Sequence, residues 1–263
     1  PFRAFPDEAT GQLIVDPDIE FPAKGFNLQI NFFYNSASPW DMTSWGKRRS
    51  TSLVCQVVET SNPLIVNLIR GDGQTYIFSG DRTSPITMTP NTSMFSGTVL
   101  RWTGSNFEEE FSDGKIITYA ELIDTGVWSV SSVSDPSGNT QTYSYGASGI
   151  ESVEVPGGNL VTILYDDKKV QTIQDWTDRR WTLTYDGDDQ LIELTSPSGC
   201  STQYSYVSDN GLLESITDPR GYTTEYTYTA NRVETVKLGT AVWTYTYGVG
   251  SGGAEILEPA GGI

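Results

Sequence analysis

From about residue 133 to the end of the chain, apolar and polar residues alternate in short runs that stop at turns and begin again. In Thr224-Glu225-Tyr226-Thr227-Tyr228, successive side chains of a strand point to opposite faces. Both tyrosines then share one face and Thr227 takes the other. Between the tyrosines lie runs of strand length, such as Leu191-Ile192-Glu193-Leu194 and Leu212-Leu213-Glu214-Ser215-Ile216. No stretch sustains a 3.6-residue period, so almost every ordered element is expected to be an antiparallel strand.

The pattern repeats. Tyr143-Ser144-Tyr145, Tyr165, Tyr185, Tyr204-Ser205-Tyr206, Tyr226-Thr227-Tyr228 and Tyr245-Thr246-Tyr247 recur at steps of 20, 20, 21, 22 and 19, counted from the last tyrosine of each. Turns keep the same beat: Pro136 and Gly138, Pro156 and Gly158, Pro197 and Gly199, Pro219 and Gly221 each precede an aromatic strand. Proline presets the first turn residue and glycine accepts a positive φ, so each unit reads strand, turn, strand, turn. Side-by-side units would align the tyrosines into a cross-strand ladder. The opposite face carries Thr, Ser, Glu and Gln, so a curled single-layer sheet with both faces partly hydrated is expected.

Ile216-Thr217-Asp218-Pro219-Arg220-Gly221-Tyr222 through Tyr228 resembles the YD repeat of Rhs proteins, toxin-complex shells and teneurins. The naming pair stands at Tyr165-Asp166 and Tyr185-Asp186; elsewhere Gly146, Val207, Thr229 or Gly248 replaces the aspartate. About residues 133–263 carry this match, the unit opening at Glu258-Pro259-Ala260-Gly261 being unfinished. Residues 1–132 resemble the β-rich region preceding such repeats, through Ala9-Thr10-Gly11, Asn31 to Ser36 and Ser44-Trp45-Gly46. Asp72-Gly73 and Asp113-Gly114 each read as a turn feeding a strand. With no Ser- or Pro-rich linker, the first half is expected to continue the same sheet. At ~4.8 Å per strand, six two-stranded units make a strip about 58 Å wide, and about ten more strands would extend it to roughly 105 Å. The resemblance thus implies an all-β open turn of a YD/Rhs β-shell, cut from a longer chain.

At 37% hydrophobic and 12% aromatic residues the chain is too apolar for disorder. Its net charge of −17 repels phosphate backbones and anionic lipid, so neither nucleic acid nor a membrane surface is an expected partner. No apolar run is long enough to cross a membrane as a helix. Cys55 and Cys200 either pair or stand as separate thiols.

Little catalytic chemistry is marked. The absence of histidine removes Ser-His-Asp and Cys-His sites and His-ligated zinc. Glu108-Glu109-Glu110 reads as a solvated acidic face rather than a cation cluster. Asp186-Gly187-Asp188-Asp189 and Asp16-Pro17-Asp18 have oxygen ligands suited to calcium, but lack the full calcium-loop pattern and read as turns. Arg70-Gly71-Asp72 reads as a turn, and Asn91-Thr92-Ser93 is a glycosylation sequon. No catalytic residue, cofactor or metal is expected. The expected role is a non-enzymatic scaffold of a large secreted or cell-surface protein serving adhesion, contact or assembly. The alternatives are the shell of a polymorphic toxin enclosing a C-terminal effector and, less directly, a carbohydrate-binding module. Its partners would be the rest of its own chain, further copies in a surface assembly, such an effector, or glycans.

Overall fold

The computed structural model describes residues 5–7, 12–15, 19–38, 43–80, 86–90, 98–121, 124–249 and 253–259. Among them none is helical, and every strand pairing is antiparallel. The N-terminal segment supplies β1 (Leu13–Val15), β2 (Ile19–Phe21), β3 (Leu28–Ile30), β4 (Phe32–Asn35) and β5 (Arg49–Thr51). A meander follows: β6 (Gln56–Glu59), β7 (Ile65–Ile69), β8 (Thr75–Ser79), β9 (Ile86–Pro90), β10 (Thr98–Trp102), β11 (Phe107–Phe111), β12 (Ile116–Glu121) and β13 (Val127–Ser134). The repeats give β14 (Thr140–Gly146), β15 (Gly149–Val155), β16 (Asn159–Asp166), β17 (Lys169–Gln174), β18 (Arg180–Tyr185) and β19 (Leu191–Thr195). They end with β20 (Ser201–Tyr206), β21 (Leu213–Thr217), β22 (Thr223–Thr229), β23 (Arg232–Leu238), β24 (Ala241–Val249) and β25 (Gly253–Leu257).

Strand β13 is where the sheet divides. One edge pairs with β12 along its length. The other edge is shared: Val127–Ser129 pairs with Gln56–Val58 of β6, and Ser132–Ser134 pairs with β14. The meander β6–β13 therefore returns on itself as a ring of eight pairings, while β14–β25 leave it as an open strip. The large sheet is not closed into a barrel; β25 pairs with β24 and with no other described strand. The expectation that the first half simply widens the strip is corrected here, because the β6–β13 pairing turns those strands inward. Strand β13 also pairs with β14, and position 132/133 falls inside β13.

Two cores result. The ring encloses Val57, Val66, Leu68, Phe78, Leu100, Phe107, Tyr119, Trp128 and Val130. The second lies on the tyrosine face of the strip and is covered by β1–β5 and the segment to Leu53. Phe21 meets Trp181 edge-on at 5.1 Å, and Phe5 meets Trp243 at 5.0 Å. Backbone bonds hold the cover in place: Val170 N–H donates to the Ser44 carbonyl (2.8 Å) and Lys47 N–H to that of Asp189 (2.8 Å). The strip is one layer, but the face expected to be partly wet is packed against its own N-terminal segment. Alternation had shown which face is aromatic; it could not show that sequence-distant strands would cover it.

Candidate functional site

The repeated feature on this inner face is a relay of tyrosine hydroxyls. In each repeat from β14 to β23 the register shifts by one residue immediately before the last tyrosine of the strand: at Ser144/Tyr145, Leu164/Tyr165, Thr184/Tyr185, Ser205/Tyr206 and Thr227/Tyr228. A bulge interrupts the ladder and leaves backbone groups without their usual partners. The residue opposite each tyrosine then offers its carbonyl to the tyrosine of the next repeat. Ile150, opposite Tyr145, accepts from Tyr165 OH (2.9 Å). Val170, opposite Tyr165, accepts from Tyr185 OH (2.8 Å), and Leu191, opposite Tyr185, from Tyr206 OH (2.8 Å). Val233, opposite Tyr228, accepts from Tyr247 OH (2.7 Å).

The relay starts before the repeats do. Tyr119 in β12 follows its own bulge and lies opposite Val130, whose carbonyl accepts from Tyr145 OH (2.8 Å). Sequence reading missed Tyr119, whose signal was the Asp113-Gly114 turn ahead of an aromatic strand. The relay breaks once. The Tyr228 hydroxyl is buried without a hydrogen-bond partner, and the N–H of Leu213 donates instead to Tyr34 OH (3.0 Å) from β4. Burial raises the phenol pKa of Tyr165 and Tyr247 to about 12 and pushes Tyr145 and Tyr185 higher still, so all donate as neutral hydroxyls. The first tyrosines go deeper: Tyr204, Tyr226 and Tyr245 are core residues, and Tyr143 packs against both cores.

At the opposite hairpin ends the aspartates cap the turns. Asp135 Oδ1 accepts the N–H groups of Ser137 (2.9 Å) and Asn139 (2.8 Å), and Asp218 Oδ1 those of Arg220 and Tyr222 (2.9 Å each). Pro136 and Pro219 occupy the second turn position, and Gly138, Gly199 and Gly221 have φ of 83°, 80° and 83°. Ser196 Oγ plays the same part before Pro197, accepting from Cys200 N–H. Asp175 caps a turn with no Pro-Gly signal, Asp178 taking the left-handed position at φ 62°. The Pro156 turn closes by Gly158 N–H to the Val155 carbonyl (3.0 Å).

The acidic motifs have structural partners. Glu109 is fully buried, contrary to the solvated face expected of its run, because Phe107, Glu109 and Leu100 share the interior of the ring. It ion-pairs with Arg70 and accepts from Tyr119 OH (2.8 Å), with Cys55 Sγ 3.3 Å from the same hydroxyl. Glu110 pairs outside with Arg101 at 2.6 Å. In Arg70-Gly71-Asp72 the arginine is thus engaged inward, and a Cβ on Gly71 would lie 1.9 Å from the Thr51 carbonyl oxygen. Asp186 Oδ1 caps its own turn, and Asp189 lies 3.4 Å from Lys169. Cys55 is buried and Cys200 exposed, both free thiols. Ala9-Thr10-Gly11, Asp16-Pro17-Asp18, Asn91-Thr92-Ser93 and Ala260-Gly261 lie outside the described residues. None of the ladder tyrosines is exposed, so they form no open aromatic platform; the exposed aromatic among the described residues is Tyr222.

The fold and this relay define an all-β repeat protein. No family model matches the sequence, and no curated protein matches it. Among solved structures it is similar to a chain of the Photorhabdus luminescens Tc holotoxin pore carrying a TccC3 mutation, at 13% identity and TM-score 0.38, covering 90% of this chain and 15% of that one. A TcdB2–TccC3–Cdc42 structure gives 13% identity and TM-score 0.38, over 90% and 16% of the respective chains. TcdB2–TccC3 without its hypervariable C-terminal region gives 12% and 0.34, over 83% and 16%. The chain spans about one-sixth of the length of the solved chains it matches.

Proposed function

We propose that this chain is a non-enzymatic structural scaffold of YD/Rhs type, a piece of wall in a larger secreted or cell-surface assembly. The observation that carries the reading is the relay: at Tyr145, Tyr165, Tyr185, Tyr206 and Tyr247, with a single break at Tyr228, a repeat spends its most chemically versatile side chain on the backbone of the hairpin before it. Such side chains stiffen a sheet and are not offered to a substrate. Of the alternatives, a toxin shell enclosing an effector shares the same repeats. The covered tyrosine face favours a closed, self-supporting segment of wall over a stretch that itself faces cargo. The glycan-binding alternative is weakened by the burial of the ladder aromatics.

The reading is tested by incubating the purified chain with polysaccharide, peptide and ester panels and by probing a glycan array. No product and no saturable binding are expected. Saturable turnover abolished by replacing one carboxylate would overturn the scaffold reading.

A further inference from the structure

Arg48, Arg49 and Arg70 line one cavity of about 320 Å³ between β4, β5 and the end of β7, in a chain whose net charge is −17. Two of these cations are accommodated by the protein. Arg70 pairs with Glu109. Arg49, buried, stacks 4.2 Å over the Tyr204 ring and donates through Nε to Tyr206 OH (3.1 Å).

Arg48 differs. Its Nε and Nη1 are enclosed without a hydrogen-bond partner, and no described carboxylate ion-pairs with it. Tyr34 beside it stays neutral, burial pushing its pKa up against the pull of Arg48. The residue is fixed in a left-handed backbone, φ 57°, with its carbonyl accepting from Asn35 N–H (3.0 Å). Ser50, Thr75 and the Asn35 side chain add neutral donors to the cavity wall. The carboxylate lining it, Asp72, is engaged through Oδ1 with the N–H of Gln74. A half-enclosed guanidinium that ion-pairs with no described carboxylate is costly, and an anion in the adjoining space lowers that cost.

We propose that this cavity binds a small oxyanion, a phosphate or carboxylate group, with Arg48 as its principal counter-charge. The thermal midpoint is measured in rising phosphate, in glucuronate and in chloride at equal ionic strength. Phosphorus NMR line broadening at room temperature serves as a binding readout that needs no unfolding. A saturable rise of roughly 5–10 °C is expected at hundredfold excess over Kd with one or both oxyanions, and none with chloride. The phosphate and glucuronate arms tell a phosphoryl from a carboxylate source. Arg48→Gly suits the left-handed backbone while removing the charge, and should keep the fold and lose both responses. An unresponsive wild-type chain, or an Arg48→Gly chain that still binds, overturns the proposal.

Discussion

The ring β6–β13 and the strip β14–β25 are built from the same antiparallel hairpins but solve burial differently. In the ring, closure lets eight short strands enclose a core of their own, and the inward-facing Glu109 is met by Arg70 and Tyr119. The strip has one apolar face and ends at β25 with no further described strand, so it needs an outside cover and receives it from β1–β5 and from Trp45 and Leu53. Its internal bonding is correspondingly serial, repeat tied to repeat by a hydroxyl–carbonyl bond everywhere except at Tyr228. A closed unit can concentrate its polar interactions in one interior network, whereas an extending unit must distribute them along its length. Damage to the ring should therefore be large and local, and damage to the strip modest and repeated.

The largest effect is expected at Glu109. Replacing it with Ala leaves Arg70 facing the interior of the ring without its partner, which should cost about 3–5 kcal/mol in chemical denaturation. The double variant Glu109→Leu with Arg70→Met should recover most of that loss, since the pair's net contribution is far smaller than the penalty of breaking it. A single variant within about half a kcal/mol of wild type would mean that the network does not hold the ring.

The relay makes an internal comparison. Tyr165→Phe removes a hydroxyl that donates to Ile150 and orphans that carbonyl, for an expected loss of about 1 kcal/mol. Tyr228→Phe removes a buried hydroxyl with no partner and should be neutral or slightly stabilising. Equal losses at the two positions would remove the relay as the tie between repeats, leaving ring packing alone.

A smaller gain is expected at a turn. Asp178 holds the left-handed position that Gly138, Gly199 and Gly221 fill in other repeats. Asp178→Gly should raise stability by up to about 1 kcal/mol by removing the Cβ strain, measured as a shift in denaturant midpoint at unchanged slope. The Gln174 Nε2 bond to Asp178 Oδ1, lost in the same variant, sets the lower bound near zero.

Much of the strip was legible because tyrosine spacing and Pro-Gly turns are local signals: the strand pattern, the turn positions and the shared face of Tyr145 to Tyr247 follow from alternation. What was not legible depends on distant pairing. Nothing in Val127-Trp128-Ser129 announces that it returns to Gln56-Val57-Val58. An acidic triplet reads as solvated until a closed ring turns its middle residue inward. The bulges also escaped, since one extra residue per repeat is absorbed in steps of 19 to 22. The relay, and the inclusion of Tyr119 in it, rests on those bulges.

The smallest effect is expected in acid, and it again separates the two regions. Hydrogen bonds, led by the Asn139 side chain, hold the Asp135 carboxyl below its usual pKa. Asp175 is partly desolvated, which works the other way, but donors from Thr177 and Arg179 outweigh that and lower it too. A carboxyl depressed in the folded state binds fewer protons there than when unfolded. Its contribution is therefore complete above the unfolded pKa, about 4, and fades as pH falls through the lower folded value. With no histidine in the sequence, the thermal midpoint should be nearly flat between pH 6 and 8 and should fall below about pH 4. Asp135→Asn and Asp175→Asn keep a turn-capping oxygen while removing the titration, so their midpoints should depend less steeply on pH below 4 than the wild type's. Asp135 caps the β13–β14 hairpin, where ring and strip join, and Asp175 caps β17–β18, well inside the strip. If native-state hydrogen exchange in acid opens β17–β18 no sooner than the ring strands, the serial bonding of the strip is as cooperative as the closed core, and the contrast between the two regions is lost.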